Sequence, residues 1–113
     1  MKDDRARLLD ILEAIERVEK VSAQGRSDFD RDPLIQVWIV HHLQIVGEAA
    51  RQLSTEFTHE HSEIPWAQII SMRNILVHNY FGIDLEEVWS AVEKDIPGLK
   101  RKVTRILEGW EEG

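Results

Sequence analysis

Apolar residues along this chain recur at intervals of three and four, the spacing of one face of an α-helix. The first run, Leu8, Ile11, Leu12, Ile15, Val18 and Val21, predicts a helix from about Asp4 to Val21, with Gly25 just beyond its end. Ser27 to Asp32 is polar and predicts a loop. Asp32 before Pro33 marks the next start, an N-cap followed by proline at the first helical position. The second helix, Pro33 to about Ser54, is apolar on nearly every side: Leu34, Ile35, Val37, Trp38, Ile39, Val40, Leu43, Ile45, Val46, Ala49, Ala50 and Leu53. A helix of that kind touches protein all round, so it is expected in the core and also against a second subunit. Gly47, Ala49 and Ala50 leave room for close helix approach.

Thr55 to Glu63 predicts a polar connection. Pro65 opens a third helix, Trp66 to about Phe81, with Gly82 as its stop. Asp84 is placed to cap a fourth helix, Leu85 to Lys94, with Glu87 three residues on as in a capping box. Pro97 marks the start of a last helix, with Leu99, Val103, Ile106, Leu107 and Trp110 as its stripe. Strand signals are weak, and short connections predict antiparallel neighbours. The expected fold is all-α: one domain over residues 1–113, an antiparallel bundle of four to five helices that dimerises.

Composition narrows the functional classes. Hydrophobic residues make up 42% of the 113, too many for a disordered chain. Cysteine is absent, which removes disulfides and thiolate zinc sites and suits a reducing cytoplasm. The charged start, Met1-Lys2-Asp3-Asp4-Arg5, predicts no signal peptide, and no apolar run is long enough to span a bilayer. A formal net charge of −7 argues against coating nucleic acid through a broad basic surface. It leaves room for an enzyme that grips one or two phosphates in a local cleft.

The candidate chemistry lies in Arg73-Asn74-Ile75-Leu76-Val77-His78-Asn79-Tyr80. An imidazole titrates near neutral pH and moves protons in either direction. A guanidinium stays charged and stabilises charge developing on a phosphoryl group. Asn74 adds neutral hydrogen-bonding groups. Phosphodiester cleavage needs these types, and the set calls for no metal or cofactor. On an ideal helix Asn74 and His78 share a face, offset by roughly 40°, whereas Arg73 and His78 diverge by roughly 140°. Arg73 and His78 therefore meet only through a long reach, a distorted turn, or a second copy of the helix from another subunit. On spacing alone, surface or helix-end placement is the commoner arrangement for both.

The segment resembles the RX4HXY motif of HepT toxins, a form of the RX4-6H motif of HEPN ribonucleases. Val46-Gly47-Glu48-Ala49-Ala50 is similar to the family's "IGEA" segment. Ile64-Pro65-Trp66 precedes the motif, Phe81-Gly82-Ile83-Asp84 follows it, and Val88-Trp89 with Asp95-Ile96-Pro97-Gly98-Leu99 resembles the family's "W..V..DLP.L" tail. The RX4H element is short and weak alone; the ordered set spans nearly the whole chain. The resemblance implies a HEPN-like helical bundle that forms a homodimer, with two motif helices lining one cleft. It implies a metal-independent endoribonuclease toxin that leaves 2′,3′-cyclic phosphate ends. His78 from each subunit would share the acid and base roles, Arg73 would stabilise phosphorane-like charge, and Asn74 would orient His78 or the substrate. Tyr80 would accept AMP from a MntA-type nucleotidyltransferase antitoxin; as an ordinary aromatic it would be a buried or helix-end residue. Glu48, a carboxylate in an apolar helix, would support Arg73, with helix-surface exposure as the alternative.

His41 and His42 are adjacent and point to different faces, while His59, Glu60 and His61 lie in the polar connection. Histidine and carboxylate suit zinc or iron, but bundle metal sites use a Glu-x-x-His pattern that no predicted helix carries. Solvated or interface histidines are expected instead. Trp66, Trp89 and Trp110 are expected to pack, and Trp38 to add to a subunit interface. Two other functions remain: a non-catalytic HEPN partner that binds nucleotides or scaffolds a nucleotidyltransferase, and a metal-dependent bundle enzyme.

Overall fold

The computed structural model describes residues 3–78 and 84–110, with 75, 77 and 78 described by backbone alone. Among these residues every regular element is helical: α1 (Asp4–Ser22), α2 (Arg26–Arg31), α3 (Pro33–Arg51), α4 (Thr55–Glu60), α5 (Trp66–His78), α6 (Leu85–Ser90), a π-helical turn (Ala91–Asp95) and α7 (Ile96–Glu108).

Each start has a local cause. Asp3 caps α1 by accepting from the Ala6 N–H at 2.9 Å. Asp32 caps α3 through the Leu34 N–H at 2.9 Å, and Pro33 follows it. Asp84 caps α6 through the Glu86 N–H at 2.9 Å. Gly25, at φ +100°, turns the chain between α1 and α2 in a conformation that L side chains rarely adopt.

Four helical rods run antiparallel, and side-chain ties fix their ends. At one end Trp38 Nε1 donates to the Arg17 carbonyl at 2.9 Å, and Lys100 Nζ reaches Glu19 Oε1 at 2.7 Å. At the other, Asp4 accepts from both the Ser54 N–H (2.8 Å) and the Ser54 hydroxyl (2.7 Å), and Trp110 lies against Phe57. The core between the rods is Leu8, Ile11, Ile15 and Val18 of α1, Ile39, Leu43 and Val46 of α3, Leu76 of α5, and Leu99 and Val103 of α7. Fully burying a Leu, Ile or Val is worth roughly 1.5–3 kcal/mol, so this inner face outweighs helix propensity in setting the fold.

The structure departs from the sequence pattern in its connections. The expected loop at Ser27–Asp32 falls largely within helix α2, held by Phe29, which is fully buried and meets Trp89 at a ring-centroid distance of 5.2 Å. The expected polar connection at Thr55–Glu63 holds helix α4, anchored by buried Phe57 and capped by Ser54 Oγ, which accepts from the Phe57 N–H at 3.1 Å. The second helix accordingly stops at Arg51 rather than Ser54. The expected break before Pro97 is also absent: α6 and α7 join through the π turn, in which the Ile96 N–H bonds the Ala91 carbonyl. Pro97 lacks an N–H and its ring crowds the carbonyl four residues earlier. The helix widens by one residue just before it and continues. The expected stretch from Asn79 to Phe81 and the stop at Gly82 lie outside the described residues.

Candidate active site

α3 and α5 come unusually close at one point, and the cause is Gly47. A Cβ there would interpenetrate the Cβ of Arg73, sit 2.8 Å from its Cγ and 3.2 Å from the Ile69 carbonyl oxygen. Glycine lets the stem of Arg73 lie flat on the α3 backbone, beside the carboxylate of Glu48, the next residue of α3.

That carboxylate is shared. Oε2 lies 3.0 Å from Arg73 Nη2; Oε1 accepts from Arg51 Nη2 at 2.7 Å and from Gln52 Nε2 at 3.1 Å. Oε2 is buried, and its contact with Arg73 has ion-pair distance without hydrogen-bond alignment. The Arg51 hydrogen bond, then Gln52 and the charges of Arg51 and Arg73, outweigh partial burial and hold the Glu48 carboxyl below the usual carboxylate range. Glu48 is therefore anionic at neutral pH. Arg73 has a second hold: its Nη1 donates to Asn74 Oδ1 at 3.0 Å. With its side chain 25% exposed, Arg73 is oriented from two sides and still reaches solvent.

The structure thus brings together Arg73, Asn74 and Glu48 of the residues singled out by sequence. Asn74 is exposed and turned to Arg73. His78 is the last residue of α5 that the structure describes, by backbone alone; its side chain, and the whole of Tyr80, lie outside the described residues. Arg51 and Gln52 were not anticipated, although Arg51 stands one helical turn after Glu48, the spacing at which opposite charges meet.

The other histidines have ordinary surroundings. His42 is buried, with Nδ1 2.8 Å from the Trp38 carbonyl oxygen and its ring against Trp38. His61 stacks on Phe57 and lies 3.7 Å from Glu63. Trp66 and Trp89 are buried, and Trp66 Nε1 donates to the His61 carbonyl at 3.0 Å. An apolar groove of about 600 Å³ opens between Leu43, Ile69, Met72, Leu76, Val88 and Leu99. Arg73, Asn74 and Glu48 do not line it, so this groove and the ionic cluster are separate features. Among the described residues no helix is long and apolar enough to cross a membrane.

Known proteins resemble this chain over nearly its whole length. The family model described as "Ribonuclease HepT-like" matches residues 11–106. A protein of Caldanaerobacter subterraneus subsp. tengcongensis, named "Putative RNase", is 38% identical over 109 residues, 96% of this chain and 97% of its own. "Probable ribonuclease HepT" of Thermococcus cleftensis is 39% identical, over 88% of this chain and 91% of its own. A longer Methanocaldococcus jannaschii protein, "Gamma-glutamylcyclotransferase and putative RNase", is 38% identical over 95% of this chain but only 49% of its own. No solved structure matches the chain significantly. The chain belongs to the HepT-like ribonuclease family.

Proposed function

We propose that this protein is a metal-independent endoribonuclease, the toxin of a toxin–antitoxin pair, acting in the cytoplasm as a homodimer. The observation that carries the reading is Arg73, held by Glu48 and Asn74 at the head of an RX4H motif with its guanidinium still open to solvent. A guanidinium so placed meets the negative charge that develops on a phosphodiester under attack.

The chemistry is transesterification. The ribose 2′-oxygen bonds to phosphorus as the bond from phosphorus to the 5′-oxygen breaks, giving a 2′,3′-cyclic phosphate and a free 5′-hydroxyl. One His78 takes the 2′-hydroxyl proton; the His78 of the second subunit protonates the leaving oxygen. A second subunit also answers the divergence of Arg73 and His78, roughly 140° around one helix. The exposed apolar residues Leu34, Val37 and Trp38 on α3 supply a surface for that pairing. Tyr80 is the regulatory residue: a MntA-type nucleotidyltransferase moves AMP from ATP to its phenolic oxygen with release of pyrophosphate. The bulky anion then blocks the cleft that RNA needs.

The test uses protein shown by intact mass to be unmodified, incubated with transfer RNA and messenger RNA in excess EDTA, beside His78→Ala. Cleavage to cyclic-phosphate ends by the wild type alone supports the reading. An inert wild type would point instead to a non-catalytic partner of a nucleotidyltransferase, and activity lost only to chelator would point to a metal enzyme. For Tyr80, the wild type gains the mass of AMP on incubation with the nucleotidyltransferase and ATP; equal gain by Tyr80→Phe refutes the assignment.

A further inference from the structure

We propose that Arg51 is a second phosphate-binding residue of this site, one that holds an RNA phosphate adjacent to the scissile one. The inference rests on the ribonuclease reading and extends it to a residue that no motif marks. One carboxylate orients two guanidiniums: Glu48 Oε1 accepts from Arg51 at 2.7 Å and Oε2 faces Arg73 at 3.0 Å. The two arginines therefore lie within a carboxylate's width and two contact lengths of each other.

The charges make this an anion site. Two guanidiniums against one carboxylate leave a local excess of one positive charge, in a chain whose formal net charge is −7. The remaining N–H groups of Arg51 meet no partner among the described residues, and its side chain is 53% exposed, twice as open as that of Arg73. A guanidinium presents five donors, so one contact with Glu48 leaves a fork for a phosphate. Gln52 Nε2, on the same Glu48 oxygen, fixes that oxygen from a third side and keeps the carboxylate from swinging out with Arg51. As a stabilising device the pair explains little, since exposed ion pairs contribute little to stability.

The division of labour follows from position. Arg73 is held twice and is the less exposed, as suits a group that meets the reacting phosphate. Arg51 is held once at the open side, as suits a group that grips the strand. Arg51 should therefore contribute to binding in ground and transition states alike.

The experiment compares the wild type with Arg51→Ala and Arg51→Lys, after thermal unfolding shows that each is folded. Cleavage kinetics run beside equilibrium binding of a fully 2′-O-methylated RNA oligonucleotide, which cannot be cleaved, over a range of salt. Arg51→Ala should raise KM about tenfold with kcat within about twofold, Arg51→Lys should restore most of the loss, and the salt slope of binding should fall by about 0.7, the value for one phosphate on a single strand. If Arg51 only orients Glu48, kcat falls and the slope stays, which overturns the proposal. Unchanged KM and slope in an active background overturn it too and leave the ribonuclease reading standing. A wild type that neither binds nor cleaves RNA removes both.

Discussion

A side chain at position 47 would overlap the stem of Arg73, so the smallest residue of α3 sets the place of the most charged group on α5. The contact is with Cβ and Cγ, not with the flexible end of the arginine, and a backbone oxygen stands 3.2 Å away on the other side. Little can give except the distance between the two helices. Overpacking of this kind costs about 1–3 kcal/mol. Gly47→Ala should lower the urea midpoint accordingly and reduce RNA cleavage, because Arg73 leaves Glu48 and Asn74 together. Unchanged stability and unchanged turnover in Gly47→Ala would show that the helices do not approach as described. The sequence made part of this legible: small residues at Gly47, Ala49 and Ala50 predict a close approach, and a carboxylate among apolar neighbours needs a partner. The resemblance supplied Arg73 as that partner, but Arg51, the second arginine on Glu48, went unread although it stands one turn further along the same helix.

At the scale of elements, the long helices were legible and the short ones were not, for one physical reason. A stripe needs two or three turns to declare itself. α1 and α3 have them, and their predicted starts agree with the caps found at Asp3 and Asp32. α2 and α4 are six residues each and bury a single phenylalanine, Phe29 or Phe57, so no period exists to be seen. What remained readable was a cap: Ser54 precedes Phe57 by three residues. Pro97 does stand in the first turn of α7, as predicted, but the break expected before it is absent. The π turn before it accommodates the proline and α6 flows into α7. Ser54 is the residue on which α4 depends, since it caps Phe57 and ties α4 to Asp4 of α1. Ser54→Ala removes the cap and the hydroxyl contact together and should destabilise the fold by about 1–2 kcal/mol, read from chemical denaturation. A variant of wild-type stability would mean that buried Phe57 alone holds this corner.

At the scale of the whole molecule, the bundle buries one face of α3 and leaves the other apolar and open. Leu34 is 79% exposed and Val37 61%, large values for aliphatic side chains on one helix of a small domain. Trp38, beside them, is 40% exposed although its indole already donates to the Arg17 carbonyl. His41, Ile45 and Glu48 continue the same side of the helix at spacings of three and four, so the apolar stripe leads toward the Arg73 cluster. A second copy of the chain laid along this stripe would bring two motif helices toward one cleft, one of the ways in which Arg73 and His78 can meet despite diverging on a single helix. Leu34 and Val37 are the residues to change, because they have surface to lose and little fold to support. The double substitution Leu34→Asp, Val37→Asp should convert a dimer into a folded monomer, read by sedimentation together with thermal unfolding. Its specific RNA cleavage should fall far below that of the wild type and recover only as protein concentration rises. A wild type that is monomeric at working concentration yet fully active would exclude the shared cleft, and one helix would then have to bring Arg73 and His78 together by itself. A double variant that stays dimeric and active would place the interface on another face.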